Sequence, residues 1–202
     1  MKHLFINIKK NKYKYIFLLT IVVLGIISGI ILSSIISYND KKEINESITN
    51  YLLNNKNNYL KDFINIFKIN IFYLLFIFIF SLSILGIILN PIILYIKSLI
   101  IGFNLGIMVT IYKYKGIIIG ILSIFPHQII NLIIYLILSF YGILISNYLF
   151  KSFFLKKNIN LSIYFKKYLK ITLFSFIIIV FSTIYEIFLG NFFINLFTFL
   201  IK

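Results

Sequence analysis

The chain has 202 residues, of which 61% are hydrophobic and only 12% are charged, and its mean hydropathy is +1.02. A soluble domain is about 45–50% apolar and about 25% charged, so this composition excludes a soluble enzyme and indicates an integral membrane protein. The formal net charge of +15 does not indicate nucleic-acid binding, because the lysines gather in short segments between long apolar stretches, as in loops that face anionic lipid. The chain has no Cys, which excludes disulfides and a thiol nucleophile.

The first predicted elements are a basic N-terminus, residues 1–15, and an uncharged span at residues 16–38. As a helix the span is about 35 Å long, enough to cross a hydrocarbon layer about 30 Å thick. It is too long for the apolar part of a signal peptide, and the chain contains no Ala that could form the usual cleavage site. We therefore expect an uncleaved signal anchor with the N-terminus in the cytoplasm.

Residues 39–68 form the only long polar segment and hold four of the five acidic residues, so we expect this segment to lie outside the cytoplasm. Asp40 followed by Glu43 has the spacing of a capping box at the start of a helix. Apolar residues then recur on one face, which predicts a short amphipathic helix. The residues of this face are Ile44, Ile48 and Leu52. The face is a candidate site for partner binding; the alternative is that it rests on lipid headgroups or packs on the bundle.

Residues 69–189 are predicted to form a helical membrane bundle. Its second, third and fifth spans are residues 69–89, 91–112 and 171–189. Asn90-Pro91 is predicted to be a cytoplasmic turn, because the residue before a proline avoids the α region. We expect Lys97, about 9 Å from that turn, to extend its ammonium group to the membrane surface.

The uncharged stretch at residues 116–150 is too long for one span with ordinary tilt. Pro126 removes a backbone hydrogen bond and clashes with the preceding turn. We therefore predict a half-helix at residues 116–125 and a longer helix, the fourth span, at residues 128–149.

Two amphipathic segments complete the prediction. Residues 151–170 are rich in lysine and are expected to form a cytoplasmic loop with an amphipathic piece around residues 159–169. Residues 190–202 are too short to cross the membrane and carry a polar stripe, which predicts a separate interfacial helix. The predicted fold is thus an all-α polytopic membrane bundle of about five spans, with a Pro-broken half-helix and interfacial amphipathic helices.

Glycine pairs at i, i+4 spacing indicate helix faces that pack closely. In lipid no hydrophobic force holds helices together, so close backbone approach at small residues stabilises a bundle. The pairs are Gly25/Gly29, Gly102/Gly106 and Gly116/Gly120, with Gly142/Ser146 as a weaker one. They are expected to pack within the monomer, and the alternative is packing against a partner's membrane helix or a second copy of the chain.

Polar residues at membrane depth are the candidates for chemistry, because they are costly to bury. The broken-helix cluster consists of Pro126, His127 and Asn131, and Gln128 and Glu186 are the other candidates. A metal site needs three good ligands and Asn is a poor one. A Ser123–His127 nucleophile has only the common i, i+4 spacing in its favour.

We therefore predict no catalytic residue, cofactor or metal. His127 and Asn131 are expected to satisfy the backbone groups that Pro126 frees. Their role would then be structural. An ion pair between Lys97 and Glu186 is not expected, because the two lie near opposite faces of the membrane.

The order and spacing of several short motifs resemble the stage II sporulation protein M family. The motifs are Phe67-x-x-Asn70, Leu85-Gly86-Ile87, Gly102-Phe103-Asn104-Leu105-Gly106, a short basic turn with Gly116, and Phe125-Pro126-His127. Many members of the wider family read Pro-His-Gly-x-x-Glu, whereas this chain has Gln128 and Asn131 in place of the Gly and Glu. The difference argues further against acid or metal chemistry.

The resemblance implies an endospore-forming bacterium and a role in engulfment. In that family the M protein is a non-enzymatic membrane component that recruits a peptidoglycan-degrading pair, stage II sporulation proteins D and P, to the septal membrane. The same role is expected here. The runner-up is a small transporter or permease subunit, since broken helices line substrate sites in transporters. An intramembrane hydrolase, the third alternative, rests on Ser123 and His127 alone.

Overall fold

A computed structural model describes residues 11–54, 59–119, 125–156 and 160–201, and within these ranges the chain is α-helical. The helices are α1 (Lys12–Ile35), α2 (Tyr38–Asn54), α3 (Tyr59–Ser81), α4 (Gly86–Ile119), α5 (Phe125–Phe154) and α6 (Leu161–Ile201). All except α2 are long and apolar enough to cross a membrane. The predicted all-α bundle of five spans is therefore confirmed.

The spanning helices alternate in direction, so the bundle has two ends. One end contains the start of α1, the α3–α4 turn and the α5–α6 turn, and we call it the lysine end. The other contains α2, the end of α4 and the start of α5, and we call it the α2 end. Contacts fix this arrangement: Tyr15 near the start of α1 packs edge-on against Phe140 in the second half of α5, with ring centroids 5.9 Å apart.

Helix α5 lies at the centre of the bundle. Of its most apolar stretch 78% is buried, whereas the corresponding share in the other four spanning helices is 17–39%. Leu138 is fully buried, and Tyr135 and Phe140 are at most 1% exposed. The outer helices instead expose large apolar side chains such as Phe72 and Phe181, as expected of surfaces that face lipid.

The predicted turn at Asn90-Pro91 is wrong, because both residues lie inside α4. The chain turns earlier, at residues 82–85, where short-range hydrogen bonds such as Ser83 N to Phe80 O, 3.0 Å, close the turn. Gly86 is required there, because a Cβ at this position would overlap the carbonyl of Phe80 and the Ser146 hydroxyl. Pro91 is the sixth residue of α4 and removes one backbone hydrogen bond in its second turn.

Helix α3 begins at Tyr59, ten residues before the predicted start of the second span. Residues 59–68 look polar in the sequence, but one face of this part of the helix is apolar and packs on α6. Phe63 stacks on Phe67, and the Phe67 ring lies 6.1 Å from that of Phe176 on α6. Residues 59–68, which the prediction assigned to the polar segment, therefore belong to the helix of the second span.

Helix α4 bends sharply at Lys113, whose backbone has φ 52° and ψ −133°. After the bend the chain turns back on itself, so Gly116 lies against the carbonyl of Met108. Residues 116–119 of the predicted half-helix are helical, whereas residues 120–124, with Gly120, lie outside the described residues. Pro126 stands in the first turn of α5, where its missing N–H is not needed.

Helix α6 runs without interruption from Leu161 to Ile201. It joins three predicted segments into one helix: the amphipathic piece around residues 159–169, the fifth span, and the separate helix at residues 190–202. Those two predicted boundaries are wrong, because no proline and no residue with positive φ interrupts the backbone there.

Candidate functional site

His127, in the first turn of α5, contacts a carboxylate on α6. Its Nε2 lies 3.0 Å from Glu186 Oε1, although the contact does not have the geometry of a hydrogen bond. The Ser182 hydroxyl donates to the backbone carbonyl of His127 at 3.4 Å. The backbone carbonyl that Pro126 frees lies at residue 122, outside the described residues, so the prediction that His127 satisfies such groups stays a prediction; within the described residues the neighbour of the His127 side chain is Glu186.

Buried polar atoms on the two helices of this pair have no hydrogen-bond partner within the described residues. Asn131 is fully buried, and neither its Oδ1 nor its Nδ2 has a hydrogen-bond partner within the described residues. The same holds for Gln128 Oε1 and Glu186 Oε2. Because each such group loses the hydrogen bonds that water would make, the arrangement is costly. We call His127, Gln128, Asn131 and Glu186 the His–Glu cluster.

Lys97 is buried deep in the bundle, with 4% of its surface exposed. Its Nζ lies 4.7 Å from the ring centroid of Tyr73 and 5.9 Å from that of Tyr135. The ring faces attract the cation and offset part of the cost of burial. The prediction that Lys97 reaches the membrane surface is wrong, because α4 starts at Gly86 and places Lys97 about 16 Å from that end.

Tyr135, two turns after His127 on α5, connects α5 to α3. Its hydroxyl donates to the backbone carbonyl of Asn70 at 2.9 Å and lies 3.3 Å from Asn70 Oδ1. On α5, His127, Asn131 and Tyr135 follow one another at intervals of four residues, so they form a polar stripe about 12 Å long. The stripe faces the interior of the bundle, since all three side chains are buried.

A second polar network lies at the lysine end and joins four helices. Ser81 accepts hydrogen bonds from Asn90 Nδ2 and from the Tyr168 hydroxyl, each at 2.8 Å, and its carbonyl accepts from the Ser146 hydroxyl at 3.1 Å. Gly142 permits this approach, because a Cβ there would lie 2.6 Å from Asn90 Nδ2. The only signal of this network in the sequence is the Gly142/Ser146 pair.

The glycines predicted to pack helices lie mainly between α1 and α4. A Cβ at Gly25 would lie 2.7 Å from Ser98 Cβ, and one at Gly29 would lie 2.6 Å from the backbone N of Phe103. Gly102 and Gly106 face α1 in return: a Cβ at Gly102 would overlap the Ile26 carbonyl, and one at Gly106 would lie 2.9 Å from Ser33 Cβ. The two pairs thus form one reciprocal contact within the monomer.

Helix α2 carries the proposed partner-binding face. Its first turn is capped by Ser37, whose Oγ accepts from the Asp40 N–H at 3.2 Å and donates to the Asp40 carboxylate at 2.7 Å; the predicted Asp40–Glu43 box is therefore wrong. Ile44 is half-buried, and the side chains of Ile48 and Leu52 lie outside the described ones. The Tyr112 hydroxyl donates to Asn45 Oδ1 at 2.7 Å and ties α2 to the end of α4.

The fold and these sites define a multi-span helical membrane protein with a buried polar interior and one short helix outside the spans. The family model of stage II sporulation protein M matches residues 16–191, and the chain therefore belongs to this family. It is a membrane protein related to sporulation. No curated protein and no solved structure shows a significant match to the chain.

The family motifs noted in the sequence fall on buried contacts. Asn70 is the partner of Tyr135, Gly86 forms the α3–α4 turn, and His127 faces Glu186. The motif with Gly102 and Gly106 is the α4 side of the α1–α4 contact. Within the described residues no group of three His, Asp or Glu side chains is placed to hold a metal ion.

Proposed function

We propose that this protein is a non-enzymatic scaffold in the bacterial cell membrane. It recruits a peptidoglycan-degrading complex to the septal membrane for engulfment during endospore formation. Membership of the stage II sporulation protein M family supports the proposal. By the same resemblance, the direct partners are stage II sporulation proteins D and P.

The observation that carries the proposal is the position of α2. Among the described helices it is the one that is not apolar enough to cross a membrane, and Lys42 and Glu43 on its surface are exposed. The Tyr112–Asn45 hydrogen bond holds it at the α2 end of the bundle. An exposed helix fixed on a membrane anchor is a suitable surface for a partner that acts on the cell wall.

The apolar face of α2 is the docking surface in this proposal. Changing Ile48 and Leu52 to Ser removes apolar contact area but leaves the spanning helices intact, so the protein should stay in the membrane. Co-purification of the peptidoglycan hydrolase from sporulating cells should fall at least about tenfold, which corresponds to about 1.4 kcal/mol of binding free energy. Leu53→Ser, which helical periodicity places off the face of Ile44, Ile48 and Leu52, is the matched control and should keep co-purification.

Two results would count against this docking surface. Normal co-purification and normal engulfment in the Ile48→Ser/Leu52→Ser variant would move the binding site to the membrane faces of the bundle. Equal loss in Leu53→Ser would show that α2 had unfolded, and circular dichroism of the purified variants separates these cases.

A small transporter or permease subunit is the second candidate, and the His–Glu cluster favours it. Unpartnered polar atoms and the buried cation of Lys97 inside a membrane bundle are typical of substrate or ion pathways. Purified protein in liposomes tests this candidate. Solute or proton flux that exceeds that of empty liposomes and is lost in Glu186→Gln would favour transport over the scaffold.

A further inference from the structure

The polar stripe on the central helix α5 places one polar side chain at each of three successive turns. Its residues, His127, Asn131 and Tyr135, are each at most 4% exposed. Side chains four residues apart lie on the same face of a helix, with their Cβ atoms about 5–6 Å apart. Asn131 is therefore held between His127 and Tyr135 in the interior of the bundle.

Each end of the stripe contacts a charged side chain on another helix. At the α2 end, His127 Nε2 lies 3.0 Å from the Glu186 carboxylate on α6. At the other end, the ring centroid of Tyr135 lies 5.9 Å from Nζ of Lys97 on α4. The ring attracts the ammonium group but does not replace the hydrogen bonds that its three N–H donors make in water. Two buried charges thus lie at the two ends of the stripe.

Asn131, in the middle of the stripe, has polar atoms that no other part of the described chain satisfies. It is fully buried, and both its Oδ1 and its Nδ2 are without a hydrogen-bond partner there, as is Glu186 Oε2. The Tyr135 hydroxyl donates to the Asn70 carbonyl, so its oxygen can still accept a hydrogen bond. Because buried polar groups without partners are costly, proteins commonly satisfy them with bound water.

We propose that the polar stripe of α5 binds a short row of water molecules, centred on Asn131, between the His127–Glu186 pair and Tyr135. A water that makes two hydrogen bonds of about 2.8 Å joins groups about 5–6 Å apart, which is the spacing of successive side chains in the stripe. A buried water needs about two to four polar partners. Asn131 supplies a donor and an acceptor, and the Tyr135 and Glu186 oxygens supply further acceptors. The site is independent of the proposed scaffold role.

X-ray hydroxyl-radical footprinting of the full-length protein in nanodiscs tests the proposal. A short X-ray exposure forms radicals at bound waters, and these radicals oxidise the adjacent side chain, which mass spectrometry then identifies. Tyr135 should be hydroxylated in the wild-type protein although it is fully buried. Phe140 is the internal control and should not be hydroxylated. It is as deeply buried on the same helix, and its ring packs against those of Tyr15 and Tyr141.

Substitutions at Asn131 test whether its amide holds the water. Asn131→Leu replaces the amide by an apolar group of similar size and should abolish the labelling of Tyr135. Asn131→Ser keeps a hydroxyl and leaves more room, so the labelling should persist. The matched control is Leu138→Met, an apolar change at a fully buried position one turn from Tyr135, and it should leave the labelling unchanged.

Three results would overturn the proposal. Labelling of Tyr135 that does not exceed that of Phe140 in the wild-type protein would show that the stripe is dry. Unchanged labelling in Asn131→Leu would show that the amide does not hold the water. Equal loss in Leu138→Met would show that the labelling follows the packing of the core. Near-ultraviolet circular dichroism verifies that the variants are folded, and the comparison within the wild-type protein needs no variant.

Discussion

At the scale of single residues, ionisable side chains lie in the interior of the bundle. The sequence identifies these residues but does not show which residues they contact. His127, Lys97 and Glu186 could be identified as costly in a membrane from their positions alone. Their partners could not, because Lys97 meets Tyr73 and His127 meets Glu186 only after α4 and α6 have packed on α3 and α5. The depth of Lys97 in the membrane was also misjudged. It was measured from a predicted turn at Asn90-Pro91, whereas α4 starts at Gly86.

His127 should be replaceable by a polar side chain that can place a hydrogen-bond donor near Glu186. His127→Gln keeps a donor near the carboxylate and should be tolerated, with a near-normal protein level and normal function. His127→Leu leaves the mostly buried Glu186 carboxylate without a partner, which costs about 3–5 kcal/mol, and should lower the protein level. Immunoblots of membranes and an engulfment assay measure both. Loss of function in His127→Gln at an unchanged level would favour chemistry or transport at the His–Glu cluster over the scaffold.

Lys97 should be replaceable by an apolar side chain of similar length. In Lys97→Met the cation and its desolvation cost are removed together, whereas the packing against Tyr73 and Tyr135 is largely kept, so the change should be neutral or stabilising. Thermal unfolding of the purified protein measures this. A Lys97→Met variant that is stable but inactive would show that the charge is needed for function and not for the fold.

At the scale of helices, periodicity and composition predicted the spanning helices well, but not where each one ends. The second span starts ten residues earlier than predicted because Phe63 and Phe67 pack on each other and on α6. Asn90-Pro91 looks like a turn, yet Asn90 is fully buried and bonds back to Ser81. Local rules failed at these points because contacts between helices provide more stabilisation than the local backbone preference.

The contact between α1 and α4 should depend on the small size of its glycines. Gly106→Leu would force a large side chain against Ser33 and the α1 backbone, and such overpacking costs about 1–3 kcal/mol or more, so the level of protein in the membrane should fall. Val109→Leu, on the exposed side of the same helix, should have no effect. A normal level and normal unfolding temperature of Gly106→Leu would contradict the close contact.

Gly102→Ala should be more harmful than Gly106→Ala. The added methyl group at position 102 meets the backbone carbonyl of Ile26, which cannot move without shifting α1, whereas at position 106 it first meets the Ser33 hydroxyl, which can rotate away. Unfolding temperatures of the two purified variants provide the comparison. The reverse order would mean that α1 shifts more easily than the Ser33 side chain.

At the scale of the whole molecule, the alternating helices place all the acidic residues at one end of the bundle. The lysine end carries cations only, and the acidic residues lie at the α2 end. In bacteria the lysine-rich loops of a membrane protein stay in the cytoplasm. The lysine end is therefore expected to face the cytoplasm, together with the N-terminus, and α2 is expected to lie outside, where a wall-degrading partner could reach it.

Cysteine labelling tests this orientation directly, because the chain has no Cys of its own. Single cysteines at Asn57, between α2 and α3, and at Asn158, between α5 and α6, are on opposite sides of the membrane if the spans cross as described. In intact cells an impermeant thiol reagent should react only at position 57, and after lysis it should react at both. Both variants replace a polar Asn in a segment between helices. The expression level of each variant is therefore a control for that of the other. Reaction at position 158 alone would show that the topology is inverted and that α2 lies in the cytoplasm. A peptidoglycan hydrolase outside the membrane could then not dock on α2.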